Sequence, residues 1–173
     1  ALVGGSAPGS DQRLTQAKLD GGRNFTNKLW NAARFVLGCA PEAGEPGIAE
    51  PSLAVRWIRS RLAGATARAT RQLDDLDLGG YAATVHEAAW SDYCDWFLEM
   101  AKVDLRSTDA TDDDRATTWA AAAEGLATLL RLLHPLMPFV TEEIWQALRE
   151  AAPRSASEPL LIGAAWPSPA PVD

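Results

Sequence analysis

Reactive side chains are scarce in this chain. Among 173 residues there are two His, two Cys and two Met. His86 and His134 lie far apart, and neither has Cys, Asp or Glu partners at a metal-ligand spacing. Cys39 and Cys94 are equally isolated, so they read as reduced thiols and not as a disulfide framework. No run of about 18 apolar residues exists, which excludes a transmembrane helix. Alternating apolar and polar runs are missing too, and with them the signature of strands. No Gly-rich phosphate loop or catalytic triad is found. The opening Ala1-Leu2-Val3-Gly4-Gly5-Ser6 has no basic region and too short an apolar run for a signal peptide. Without an initiator Met, it reads as a continuation of a longer chain. These absences leave no catalytic or metal residue to name and no cofactor for this stretch to hold.

What is present is a globular composition, with 47% hydrophobic and 23% charged residues and seven Trp. The net charge of −7 argues against a polyanionic partner, yet it is unevenly spread. Residues 1–71 hold ten Lys and Arg against five Asp and Glu. Residues 72–173 hold six against eighteen. A polyanion would therefore meet the first half.

Apolar spacing predicts an all-α antiparallel bundle of about five helices. The first runs over residues 15–37, weakened by Gly21-Gly22. A Pro- and Gly-rich loop follows at 39–51. The second helix covers 52–73 with Ser52 as N-cap, and the third, long one covers 78–105. Asp112, Asp113 and Asp114 precede a fourth over 115–134, which Pro135 and Pro138 stop. Thr141 is expected to cap a fifth helix ending near residue 150. The tail, 151–173, contains five Pro and is expected to lie extended over the bundle. Trp30, Trp57, Trp90, Trp96, Trp119 and Trp145 are expected in the core. His86 is expected to pack between helices, and His134 to bond terminal carbonyls at a helix end.

On a helical wheel, one side of the first helix collects Phe25, Leu29, Trp30, Ala32, Ala33, Val36 and Leu37. The other collects Asn24, Asn27, Lys28, Asn31, Arg34 and Phe35. Over residues 23–37 that second side carries no acid, although acids outnumber bases in the chain. Cations for phosphates, amides for base edges and a ring for stacking are what single-stranded RNA requires. A solvated face with one stray Phe is the plainer alternative.

At these residues the sequence becomes specific. Arg23-Asn24-Phe25-Thr26-Asn27-Lys28-Leu29-Trp30-Asn31-Ala32-Ala33-Arg34-Phe35 resembles the opening helix of the anticodon-binding domain in the valyl-tRNA synthetase family. Similar segments follow in order: Trp57-Ile58-Arg59-Ser60-Arg61-Leu62, then Trp90-Ser91-Asp92-Tyr93-Cys94-Asp95-Trp96-Phe97-Leu98-Glu99, then Leu132 to Trp145, and finally Trp166-Pro167. The segment around His134-Pro135 is shared with the isoleucyl and leucyl enzymes. The first and third segments favour the valyl branch. The rivals are those two enzymes and a helical protein-interaction module without RNA.

The resemblance implies a domain that holds the anticodon stem-loop of tRNA(Val) and reads its second and third anticodon bases. By residue-by-residue match, Lys28, Asn31, Arg34 and Phe35 on the first helix lie near the bases, as do Leu98 and Glu99 on the third. On the wheel, Leu98 and Glu99 fall on the polar side of the third helix with Asp92, Asp95 and Lys102. Leu98 is expected as an apolar shelf and Glu99 as an acceptor from a cytosine amino group. Asp92 and Asp95 are expected as ordinary solvated acids. Residues 1–14 look like a remnant of the junction with the catalytic half, 15–150 like the bundle and 151–173 like its closing tail. The family's His-x-Gly-His and Lys-Met-Ser-Lys-Ser motifs are missing from the sequence. This stretch is thus expected to be non-catalytic, with ATP and Mg used only by the full-length, cytoplasmic and monomeric enzyme.

Overall fold

A computed structural model describes residues 15–41 and 49–168. Residues 1–14, expected as a junction remnant, most of the Pro-rich loop and the last residues of the tail lie outside that range. Five helices account for the described chain, and no strand occurs among the described residues. Helix α1 is Gln16–Gly38 and α2 is Leu53–Asp74. Helix α3 runs without a break through Leu78–Glu87, the π-helical stretch Ala88–Phe97, and Leu98–Arg106. Helix α4 is Asp112–Leu133, and α5 is Pro138–Ala151. The tail is not extended throughout, because a short 3-10 turn, Leu161–Gly163, interrupts it.

Side-chain caps set most of these boundaries. Thr15, Ser52 and Asp77 each accept a hydrogen bond from a free N–H of the first turn that follows. Helix α4 begins three residues earlier than its apolar spacing predicts. Thr111 accepts from the Asp114 N–H while Asp114 accepts from the Thr111 N–H, both at 3.1 Å. This reciprocal box holds the acidic turn helical. Helix α5 is not capped by Thr141. It starts at Pro138, whose missing N–H costs nothing in a first turn. The Thr141 hydroxyl instead donates back to the Met137 carbonyl at 2.8 Å and lies 2.9 Å from His134 Nδ1. His134 therefore meets a hydroxyl and not terminal carbonyls.

The π stretch decides what α3 buries. Its backbone bonds skip one residue more than in an α-helix, and the Leu98 N–H reaches the Tyr93 carbonyl. Buried positions along α3 are Tyr81, Thr84, Val85, Ala88, Ala89, Asp92, Tyr93, Cys94, Phe97, Leu98 and Ala101. In a regular helix the series Tyr81, Val85, Ala88 and Asp92 would lead on to residues 95 or 96 and then 99, but the buried positions after the π stretch are Phe97, Leu98 and Ala101. That extra residue rotates the following turn by roughly 100°. Trp96 is pushed out to 63% exposure, and Leu98 is drawn in to 4%.

The core lies between α2, α3, α4 and the inner faces of α1 and α5. Large buried rings use their polar atoms to tie helices together. The Tyr93 hydroxyl donates to the Ala122 carbonyl at 2.6 Å, joining α3 to α4. Trp119 Nε1 donates to the Val36 carbonyl at 2.9 Å, joining α4 to α1. Trp145 Nε1 donates to the Glu158 carbonyl at 2.9 Å, fastening the tail to α5. The six Trp expected in the core divide: Trp119 and Trp145 are buried, Trp57 and Trp90 half-buried, and Trp30 and Trp96 exposed.

Candidate nucleic-acid interface

Helix α1 buries Phe25, Leu29, Ala32, Ala33 and Val36. This fixes its rotation and turns the side that holds Asn24, Asn31 and Arg34 outward. Asn24, Asn27, Asn31 and Arg34 are exposed there, while Lys28 and Phe35 are half-buried where the strip meets α3. No ion pair among the described residues engages Arg34. Its guanidinium and the Asn31 amide are therefore open to a ligand.

Lys28 is held on two sides. It forms an ion pair with Asp95 and stands 3.9 Å from the centre of the Trp90 ring. His86 stacks between Phe25 and Trp90, with ring centres 4.6 and 5.7 Å away. Packing between those rings, with Lys28 nearby, keeps the His86 pKa below its ordinary value. His86 is thus a packing residue, as expected, although much of its surface stays in contact with solvent.

Phe35 is flanked by cations from α3. Lys102 Nζ and Arg106 Cζ lie 5.5 and 5.6 Å from its ring centre. At an exposed site such contacts are worth only about 0.5–1 kcal/mol each, so a stronger partner can take the cations. Lys102 also pairs with Glu99. Glu99 is exposed, as the spacing predicts. Leu98 is not. The wheel puts it on the surface beside Glu99, but the π register places it in the core, beneath the face and not on it.

Asp92 also departs from expectation. Its carboxylate is buried and takes a two-pronged contact from Arg61, at 3.0 Å to Nε and 3.1 Å to Nη2. This pair ties α2 to α3 and raises the Arg61 pKa. Asp95 is exposed but serves Lys28.

The sequence reading put Lys102 on the polar side of the third helix without giving it a role and did not single out Arg106, because both sit in the acidic half. The available signal was their i, i+4 spacing, which sets two cations one above the other on a helix. Elsewhere, a cleft of about 310 Å³ between the end of α3 and the start of α4 is lined by Glu50, Asp104, Asp109 and Asp114 without any Lys or Arg. Its charge repels phosphate. Among the described residues no cluster of His, Cys, Asp and Glu could hold a metal, and no helix is long and apolar enough to cross a membrane.

Residues 55–173 match the family described as the anticodon-binding domain of tRNA ligase. This chain belongs to that family. The valine–tRNA ligase of Dehalococcoides mccartyi is 40% identical over 174 residues, covering 96% of this chain and 18% of the relative. That of Geobacter sulfurreducens is 40% identical over 98% of this chain and 19% of its own length. That of Carboxydothermus hydrogenoformans is 45% identical over 85% of this chain and 17% of its own. This anticodon-binding chain thus spans about a fifth of the length of the relatives it matches. The Geobacter alignment leaves too little of the chain uncovered to omit α1, so the likeness takes in the acid-free strip.

Proposed function

We propose that this chain is the part of a valine–tRNA ligase that holds the anticodon stem-loop of tRNA(Val) and reads its second and third anticodon bases. Lys28, Asn31, Arg34 and Phe35 supply the reading surface on α1. Glu99 supplies an acceptor for a cytosine amino group from α3, and Leu98 supports that turn from below. Catalysis lies outside this chain. The full-length enzyme joins valine to tRNA(Val) with ATP and Mg, in the cytoplasm and as a monomer. The anticodon contact fixes the tRNA so that its acceptor end meets the distant active site.

The observation that carries this reading is the strip on α1. Between Asn24 and Phe35, amides, a guanidinium and a half-buried ring share one side of α1 with no acid among them, in a chain of net charge −7. Bases unstacked from an RNA loop need rings and guanidinium planes to stack on and amides to pair with.

A fluorescence titration tests it, comparing a tRNA(Val) anticodon stem-loop with a tRNA(Ile) one. The valine stem-loop should bind more tightly. Phe35→Ala should weaken binding about tenfold, within the 1–3 kcal/mol of one base–ring stack. Arg34→Ala should weaken it too, with far-UV circular dichroism unchanged for both. Equal binding of both RNAs, or both variants binding like the parent, would refute the assignment.

A further inference from the structure

We infer that Lys102 and Arg106, beside Phe35, form a phosphodiester-binding subsite for the RNA backbone adjoining the base that Phe35 receives. This rests on the anticodon reading above and adds to it a site that α3, not α1, provides.

The argument begins with charge. Lys28 and Lys102 face α1 and α3 together with two acids, Asp95 and Glu99, and each lysine takes one acid. Arg34 and Arg106 have no acid among the described residues. The surface around Phe35 therefore keeps two uncompensated guanidiniums. The local balance is positive in a chain whose total is negative.

Geometry gives the second part. Lys102 and Arg106 are one helical turn apart on the last part of α3. Both reach the same ring from that one helix, at nearly equal distances. A nucleotide whose base lies on Phe35 must carry its phosphates within a few ångströms of that ring. Cations already gathered there meet those phosphates without a search. Arg106 offers a planar fork that matches phosphate oxygens, and Lys102 a compact point charge. While Lys102 also holds Glu99, one side chain positions the base acceptor and approaches the backbone. The acid-lined cleft at the end of α3 and the start of α4 bars the RNA from continuing that way.

Counterion release gives the test a readout that packing alone would not move. Each phosphate contact on a single strand contributes about 0.7 to the slope of log K against log salt. The 173-residue chain is titrated with the tRNA(Val) anticodon stem-loop over a salt series. Arg106→Gln and Lys102→Gln should each flatten the slope by about 0.7, and the double variant by about twice that. Preference for the valine over the isoleucine stem-loop should persist in Arg106→Gln. Arg106→Lys and Lys102→Arg should restore the parental slope. Phe35→Ala should weaken binding at every salt concentration without flattening it. If the Gln variants keep the parental slope while the parent binds, the cations only cover the ring and the subsite is wrong. A loss of preference with an unchanged slope would overturn it as well, since that marks base reading. If the parent binds no stem-loop even at low salt, the subsite falls together with the anticodon reading. If the parent binds both stem-loops equally but the slopes flatten, only the anticodon reading falls.

Discussion

Asp92 and Asp95 stand one turn apart on α3 and look alike in the sequence, yet their surroundings separate them. Asp92 is buried under the Arg61 guanidinium, whereas Asp95 stays in solvent and steadies Lys28. Which arginine reaches a buried acid 31 positions away cannot be read from local spacing. His86 shows a related effect. Its pKa is lowered by desolvation between rings and then by Lys28. The folded protein therefore prefers the neutral ring, so the stability this ring supplies is complete above 6.5 and declines as pH falls below that value. The urea midpoint should drop between pH 7 and 5.5. His86→Phe, which keeps the stack, should flatten that part of the profile. Because the ring touches solvent, the effect should stay under about 1 kcal/mol. A profile identical in the variant would show that His86 contributes nothing to it.

Helix existence was legible at the level of elements, and so were the caps Ser52 and the acidic lead into α4. Apolar spacing and hydrogen-bonding side chains act within one or two turns, so a linear reading captures them. The π stretch was not legible. Its extra residue per turn is accepted because Tyr93, Phe97 and Leu98 then pack together with Ala88 and Ala89 in the core. An ideal wheel placed Leu98 outside and Trp96 inside, and both reversals have this one cause. Close helix packing brings a further prediction at Gly125 on α4. A Cβ there would stand 2.9 Å from Tyr93 Cε2 and 3.2 Å from Leu62 Cδ1. Helix propensity favours Ala by about 1 kcal/mol, but the Tyr93 ring is pinned by its hydroxyl and cannot easily yield. Overpacking should win, and Gly125→Ala should destabilise by about 1–2 kcal/mol, read as a lower urea midpoint with unchanged helicity. A stabilised variant would mean that α4 slides freely on α3. At the end of α2 the reverse holds. Leu76 sits at φ 58°, in the left-handed region, so Leu76→Gly should stabilise by roughly 0.5–1 kcal/mol in the same assay.

Over the whole molecule, distant segments complete one another. Trp166 Nε1 donates to the Thr70 hydroxyl at 2.9 Å, and its ring lies 6.4 Å from that of Tyr81. The closing segment thereby fastens the outer ends of α2 and α3. Trp166→Ala should lower the melting temperature, at a cost of about 1–3 kcal/mol, and an unchanged melting curve would show that the segment merely rests there. Charge follows the same logic. The basic first 71 residues pointed to α1 as the polyanion-facing element, but two of the cations beside Phe35 come from the acidic remainder. By itself the sequence determined an all-helical chain, the strip of amides and cations between Asn24 and Phe35 on α1 and the likeness to a tRNA-ligase family, because periodicity, capping and motif order are properties of neighbouring residues. The tertiary structure alone decided that Leu98 sinks, that Asp92 is buried with Arg61, and that Lys102 and Arg106 gather at Phe35. Those outcomes depend on the phase of a π-widened helix and on how it packs across the bundle, and neither is encoded within a single turn.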